Sequence, residues 1–67
     1  MITIRFRDET MVLEQSHSLA EILVMKNYHG QHFAVALNRQ FIPRSNHVTT
    51  FIQDGDVVDV ISPMQGG

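Results

Sequence analysis

The segment VVDVI at residues 57–61 is apolar and rich in β-branched side chains, and the segment PMQGG follows it at residues 63–67. Runs of this composition and length are typical of buried strands, whereas glycine weakens any regular element that contains it. We therefore expect a strand at 57–61 and then a flexible tail over 63–67 that presents the α-carboxylate of Gly67. The alternative for the tail is a frayed end without function, and the two glycines alone do not separate these interpretations.

The N-terminal residues predict a hairpin. Apolar side chains alternate with polar ones from Met1 to Arg7, which indicates a strand with one buried face. Asp8-Glu9 is the predicted turn, and Thr10–Leu13 is the predicted returning strand.

A helix follows the hairpin. Ser18 precedes Glu21 by three positions, which is the capping-box pattern of a helix N-terminus. Gly30 is the expected stop signal, so we predict a helix over Leu19–Tyr28. Its buried face consists of Leu19, Ile22 and Leu23.

The second half of the chain predicts three more strands. Phe33–Leu37 and Gln40–Ile42 flank a turn at Asn38-Arg39, and Pro43 ends the second of these strands, as suits an edge position. Arg44–Thr50 is polar and irregular, with room for one helical turn. Phe51-Ile52 is expected to return to the core, and Asp54-Gly55-Asp56 is a turn before the last strand.

The order β-β-α-β-β-β predicts one α+β domain over residues 1–67, with a mixed sheet of about five strands and one helix across one face. The predicted core comprises Ile2, Ile4, Phe6, Val35, Leu37, Val58 and Val60 of the sheet under Leu19, Ile22 and Leu23 of the helix. On the opposite face, Ala34 and Ala36 leave a flat surface, and Val57 and Ile61 add apolar area. We interpret these four residues as a partner surface; scattered surface hydrophobics are the alternative.

The length and composition of the chain argue against several classes of function. A chain of 67 residues has little room for both a core and a deep cleft, which argues against an independent enzyme. There is no cysteine, so we expect no disulfide framework or thiolate site. The net charge of −2 does not favour nucleic-acid binding, and no apolar run is long enough to span a membrane. With no signal-peptide pattern, we expect a cytoplasmic protein.

For the side chains that could bind a metal or a phosphate, we expect structural or solvent-exposed roles instead. His17, His29, His32 and His47 lack metal-ligand spacing and are expected to be exposed loop residues. Asp54 and Asp56 are expected to be turn residues, and Asp59 is expected to lie near Arg5 if the first and last strands pair. For the small basic patch of Arg39 and Arg44, solvated loop charge is favoured over a phosphate site.

Four short motifs carry a family resemblance: Ala36-Leu37-Asn38, Ile42-Pro43-Arg44, Asp54-Gly55-Asp56 and the terminal Gly66-Gly67. In this order, in a chain this short, they resemble the ubiquitin-like β-grasp sulfur carriers of thiamine and molybdopterin biosynthesis, most closely the ThiS group of the thiamine pathway. The resemblance covers the whole chain. Pro63 departs from the thiamine group, because a proline before the tail is more familiar in molybdopterin carriers.

The resemblance implies a reaction cycle at Gly67. A ThiF-like adenylating enzyme, using ATP and Mg²⁺, would activate the carboxylate; a persulfide enzyme would convert it to a thiocarboxylate; and a ThiG-like thiazole synthase would take the sulfur. Met64, Gln65 and Gly66 would thread into the partner, and the carrier itself would hold no cofactor, metal or catalytic side chain. A MoaD-like molybdopterin carrier and a ubiquitin-like protein modifier stay open as alternatives.

Overall fold

The computed structural model describes residues 1–28 and 33–61, and these residues form one sheet with one helix. The strands are β1 (Ile2–Phe6), β2 (Glu9–Leu13), β3 (Ala34–Leu37), β4 (Gln40–Ile42) and β5 (Val57–Ile61). The helix is α1 (Leu19–Met25), and one turn of 3₁₀ helix spans Arg44–Asn46. Within the two described ranges, no helix is long and apolar enough to cross a membrane.

The sheet is mixed, with the strand order β2-β1-β5-β3-β4. β1 and β5 are parallel at its centre, and every other neighbouring pair is antiparallel. A parallel pair requires a long crossover, and here α1, β3 and β4 all lie between β1 and β5 along the chain. The predicted mixed sheet of five strands with one helix across one face is therefore confirmed.

Both hairpin turns contain two residues. Phe6 pairs with Glu9, so Arg7-Asp8 is the first turn, one position earlier than predicted, and Arg7 has φ 58°. The predicted turn at Asn38-Arg39 is confirmed, with φ 52° and 71° at its two residues. In this second turn, positive φ at both central residues gives the backbone twist that matches two antiparallel strands.

The N-terminus of α1 has the predicted capping box. The Ser18 hydroxyl accepts a hydrogen bond from the Glu21 N–H at 3.1 Å, and Glu21 Oε1 accepts one from the Ser18 N–H at 3.1 Å. These two bonds satisfy amide groups that the first turn of a helix leaves without partners.

The predicted end of α1 is wrong. The helix ends at Met25 rather than at Tyr28, because Asn27 takes a left-handed conformation with φ 66°. The Tyr28 N–H then donates to the Leu23 carbonyl at 2.8 Å, and the Asn27 N–H donates to the Val24 carbonyl at 3.0 Å. This pair of bonds is the Schellman motif, in which asparagine can replace glycine. Gly30, the predicted stop, lies outside the described residues.

One hydrophobic core lies between α1 and the sheet. Its buried members are Ile4, Phe6, Leu13, Leu19, Ile22, Leu23, Val35, Ile52, Val58 and Val60. Ile2 and Leu37, also predicted, are partly buried against it. Leu13 and Ile52 are core residues that the predicted list did not contain. Of the pair Phe51-Ile52, only Ile52 returns to the core; Phe51 is exposed.

Candidate functional site: the open face of the sheet

The open face is the side of the sheet that α1 does not cover. Because Val58 and Val60 of β5 are buried in the core, Val57, Asp59 and Ile61 project to the other side. Ala34 of β3 pairs with Ile61, and Ala36 pairs with Asp59. The structure therefore brings the predicted surface residues Ala34, Ala36, Val57 and Ile61 onto one face, as expected from the strand period.

Phe41 also lies on the open face, and it was missing from the predicted surface. It pairs with Ala36 across the β3–β4 hairpin and is 63% exposed, and Ile61 is 59% exposed. The predicted turn at Asn38-Arg39 already determines this pairing, because a two-residue turn places 36 opposite 41. The sequence signal for Phe41 is therefore the register of the hairpin, which places it on the same face as Ala36.

Ile61, after which the predicted tail begins, has its side chain on this same face. Ile61 is the last described residue, and its partner Ala34 belongs to the open face. The predicted tail residues Pro63, Met64, Gln65, Gly66 and Gly67 lie outside the described residues, so their roles stay predictions.

Asn38 joins two motifs that are distant in sequence. Its Oδ1 accepts a hydrogen bond from the Val57 N–H at 2.9 Å, its Nδ2 donates to Asp56 Oδ1 at 3.0 Å, and its own N–H donates to the Val57 carbonyl at 2.8 Å. The turn before β5 is thereby tied to the β3–β4 turn. Asn38 thus determines how β5 enters the sheet.

We expect Asn38→Ala to lower the free energy of unfolding by about 1–2 kcal/mol, because the change removes two side-chain hydrogen bonds and leaves alanine at positive φ. Asn38→Gly is the matched variant: it loses the same bonds but tolerates the backbone angle, so its loss should be smaller. Urea unfolding of both variants measures the difference. Wild-type stability of Asn38→Ala would contradict a structural role for this contact.

The aspartates of the turn at residues 54–56 accept hydrogen bonds from the backbone. Asp54 Oδ1 accepts a hydrogen bond from the Thr3 N–H at 2.8 Å, Asp56 Oδ2 accepts one from the Gln53 N–H at 2.8 Å, and Gly55 has φ 88°. The predicted turn role of both aspartates is confirmed. In the described part of the chain, no three His, Cys, Asp or Glu residues form a group that could hold a metal ion.

The histidines differ from the exposed loop residues that were predicted. His17 is partly buried, and its Nδ1 lies 3.1 Å from Glu21 Oε1. The prediction for His47 is wrong: it is only 8% exposed, and its Nε2 lies 3.1 Å from the Ile42 carbonyl oxygen. The polar segment after β4 packs against the start of α1, since the His47 carbonyl accepts a hydrogen bond from the Ala20 N–H. His29 and His32 lie outside the described residues.

Two carboxyl groups have a lowered pKa, and both interact with residues that hold the fold together and not with the open face. The pKa of Glu21 is lowered below its ordinary value of 4.5. The hydrogen bond from the Ser18 backbone is the largest cause, and the hydrogen bond with His17 is the second largest. The hydrogen bond and charge of Lys26 lower the pKa of Glu9 in the same direction. Folding lowers both pKa values. The stability that these two carboxylates contribute is therefore present above their pKa in the unfolded chain and is lost as the pH falls through their pKa in the folded protein.

The predicted proximity of Arg5 and Asp59 is found, whereas the predicted grouping of Arg39 with Arg44 is not. Arg5 and Asp59 line one shallow depression on the open face, but no ion pair joins them. Arg39 lines the same depression, whereas Arg44 lines a different one beside α1. Arg39 and Arg44 therefore do not share the predicted basic patch.

One known family matches the part of the chain that contains the sheet, the Asn38 contact and the predicted tail. The model described as "ThiS family" matches residues 2–67. The chain belongs to the ThiS family. The predicted relationship to the ThiS-type carriers is confirmed, and family membership supports a sulfur carrier role in thiamine biosynthesis.

A solved structure shows the same fold as this ThiS family chain. It is the crystal structure of the thiamine biosynthesis protein ThiS from Geobacter metallireducens, with a TM-score of 0.81 and 23% sequence identity. The match covers 98% of this chain and 100% of that chain. The expected ubiquitin-like β-grasp fold is thereby confirmed. No curated protein sequence matches the chain.

Proposed function

We propose that this chain is a sulfur carrier of thiamine biosynthesis whose reacting group is the α-carboxylate of Gly67. The observation that carries the proposal is the ThiS family match, which extends through Gly66 and Gly67. The position of Ile61 on an exposed apolar face supports it, because a partner on that face would also meet the start of the tail.

The proposed chemistry has two stages. A carboxylate oxygen of Gly67 first attacks the α-phosphorus of ATP, and pyrophosphate leaves. The acyl adenylate has a good leaving group, so a persulfide sulfur then attacks the acyl carbon and displaces AMP. A second thiol of the donor then attacks the donor sulfur of the resulting acyl disulfide, which forms a disulfide within the donor and leaves the thiocarboxylate on Gly67. The carrier supplies no catalytic side chain; it positions the reacting end.

The proposed partners each cover the open face while the tail enters their active site. Ala34, Ala36, Val57 and Ile61 form the contact surface, with Phe41 as an added anchor. Residues 62–67, fully extended, reach at most about 20 Å beyond Ile61. Met64, Gln65 and Gly66 would occupy the partner's channel, where the absence of a Cβ on glycine permits a narrow passage.

Three partner activities are needed. A ThiF-like enzyme would supply adenylation and hold ATP and Mg²⁺, a persulfide enzyme would donate sulfur, and a ThiG-like thiazole synthase would accept it. The nucleotide and the metal belong to the adenylating enzyme, so the carrier is its substrate.

The test is incubation of the purified carrier with an adenylating enzyme, ATP and a persulfide donor, followed by intact mass and fragment analysis. We expect replacement of one oxygen by one sulfur, confined to the C-terminal fragment and dependent on ATP. Thiazole synthase should then consume the product. Turnover only by the large subunit of molybdopterin synthase would contradict the pathway, and lysine adducts without a thiocarboxylate would identify a protein modifier instead.

A further inference from the structure

Three arginines surround one shallow depression on the open face. Arg5, Arg7 and Arg39 line it together with Asn38, Val57 and Asp59. The whole chain contains only five lysine and arginine residues and has a net charge of −2. Positive charge is thus concentrated on one part of this face, against the sign of the protein as a whole.

The arginines differ in how they are held. Arg7 Nη1 donates to the Tyr28 hydroxyl at 2.6 Å, which ties that side chain to the segment that follows α1. Arg5 projects from β1 opposite Val57, and Arg39 belongs to the β3–β4 turn. Within residues 1–28 and 33–61, neither Arg5 nor Arg39 forms a side-chain hydrogen bond or an ion pair. Their two guanidinium groups are therefore available to a partner.

We propose that Arg5 and Arg39 bind acidic side chains of the adenylating enzyme and fix the orientation in which the carrier docks. This inference rests on the proposed function. A guanidinium pairs with a carboxylate through two parallel hydrogen bonds, which gives directional as well as electrostatic recognition. The chemistry of the site therefore selects an acidic protein surface.

The placement of the cluster relative to the tail fits a partner that receives the tail, as the adenylating enzyme would. β5 has the arginines at its Val57 end and the tail at its Ile61 end, and a strand of five residues is about 13 Å long. The exposed apolar side chains of the face, including Phe41, lie between or beside these ends. A partner that receives the tail and covers the apolar face therefore also reaches the arginines, and a charged border around an apolar centre is usual for protein interfaces.

Charge at such a border acts mainly on the rate of association. Complementary charge raises association rates by about 10-fold to 1,000-fold, and the effect falls steeply with ionic strength. If the arginines instead carried only solvated charge, reversing them would change the rate no more than adding the same charge elsewhere.

The experiment compares Arg5→Glu and Arg39→Glu with a control of equal charge. Gln15→Glu combined with Ser45→Glu makes the same change in net charge at two exposed positions outside the sheet. Association with the adenylating enzyme is measured by stopped-flow fluorescence at about 0.1 M and about 1 M salt. We expect each arginine variant to associate about tenfold more slowly at low salt, the control to follow the wild type, and the difference to shrink at high salt.

Thermal unfolding of each variant shows whether the fold is retained, since both arginines are exposed and outside the core. Equal association rates for the arginine variants and the control would overturn the inference while leaving the proposed function intact. A wild-type carrier that is not adenylated at all would instead contradict the proposed function, and this inference with it.

Discussion

Adding one residue after Gly67 is expected to abolish adenylation of the carrier without changing its fold. The extension moves the α-carboxylate about 3.5 Å further along the chain, and reacting atoms must be held much closer than that to the attack geometry. Deletion of Gly67 should have the same effect, because it withdraws the carboxylate by a similar distance. The measurement is ATP-dependent release of pyrophosphate with the adenylating enzyme, together with the intact mass of the carrier.

The matched control is a single residue added before Met1. Met1 is exposed at the other terminus, so this variant changes the length of the chain equally but leaves the tail unaltered. The buried core residues all precede Ile61, and thermal unfolding should therefore be the same in every variant. Adenylation of the C-terminally extended carrier at the wild-type rate would show that the reacting group is not the α-carboxylate of Gly67.

The sequence predicted those parts of the fold that depend on local pattern. Period-two alternation located the strands, and the Ser18–Glu21 capping box located the start of α1. The end of the helix was missed because two residues competed for the same role. Asn27 reaches the left-handed conformation before Gly30, and the bond from Tyr28 to Leu23 then closes the last turn. Propensity favours glycine at such a position, but asparagine can also adopt this conformation.

The open face was predictable in part. The strand period placed Ala34, Ala36, Val57 and Ile61 on one side, and the structure confirms that placement. The contact between Asn38 and Asp56 required the order of the strands, which no local pattern gives. The burial of His47 was unpredictable for a similar reason: the segment around it has no period, and its position depends on backbone contacts with Ile42 and Ala20.

Leu23→Ala is expected to destabilise the domain strongly. Leu23 is only 4% exposed and belongs to the core between α1 and the sheet. Truncation of a buried leucine costs about 2–5 kcal/mol, because the lost apolar contacts are accompanied by a cavity. Total stability of small domains is often about 5–15 kcal/mol, and a chain of 67 residues buries a smaller share of its surface than larger proteins do. The variant should therefore lose a large part of its stability.

Val24→Ala provides the control for Leu23→Ala, because Val24 is the next residue of the same helix but is 59% exposed. It also truncates an aliphatic side chain to alanine, by two carbons where Leu23→Ala removes three, but it opens no cavity, and surface substitutions of this kind usually change stability by less than about 0.5 kcal/mol. Urea unfolding followed by circular dichroism measures both variants against the wild type. Equal effects of the two substitutions would mean that α1 does not pack its Leu23 face on the sheet, and the arrangement that holds β5 and the open face in place would have to be revised.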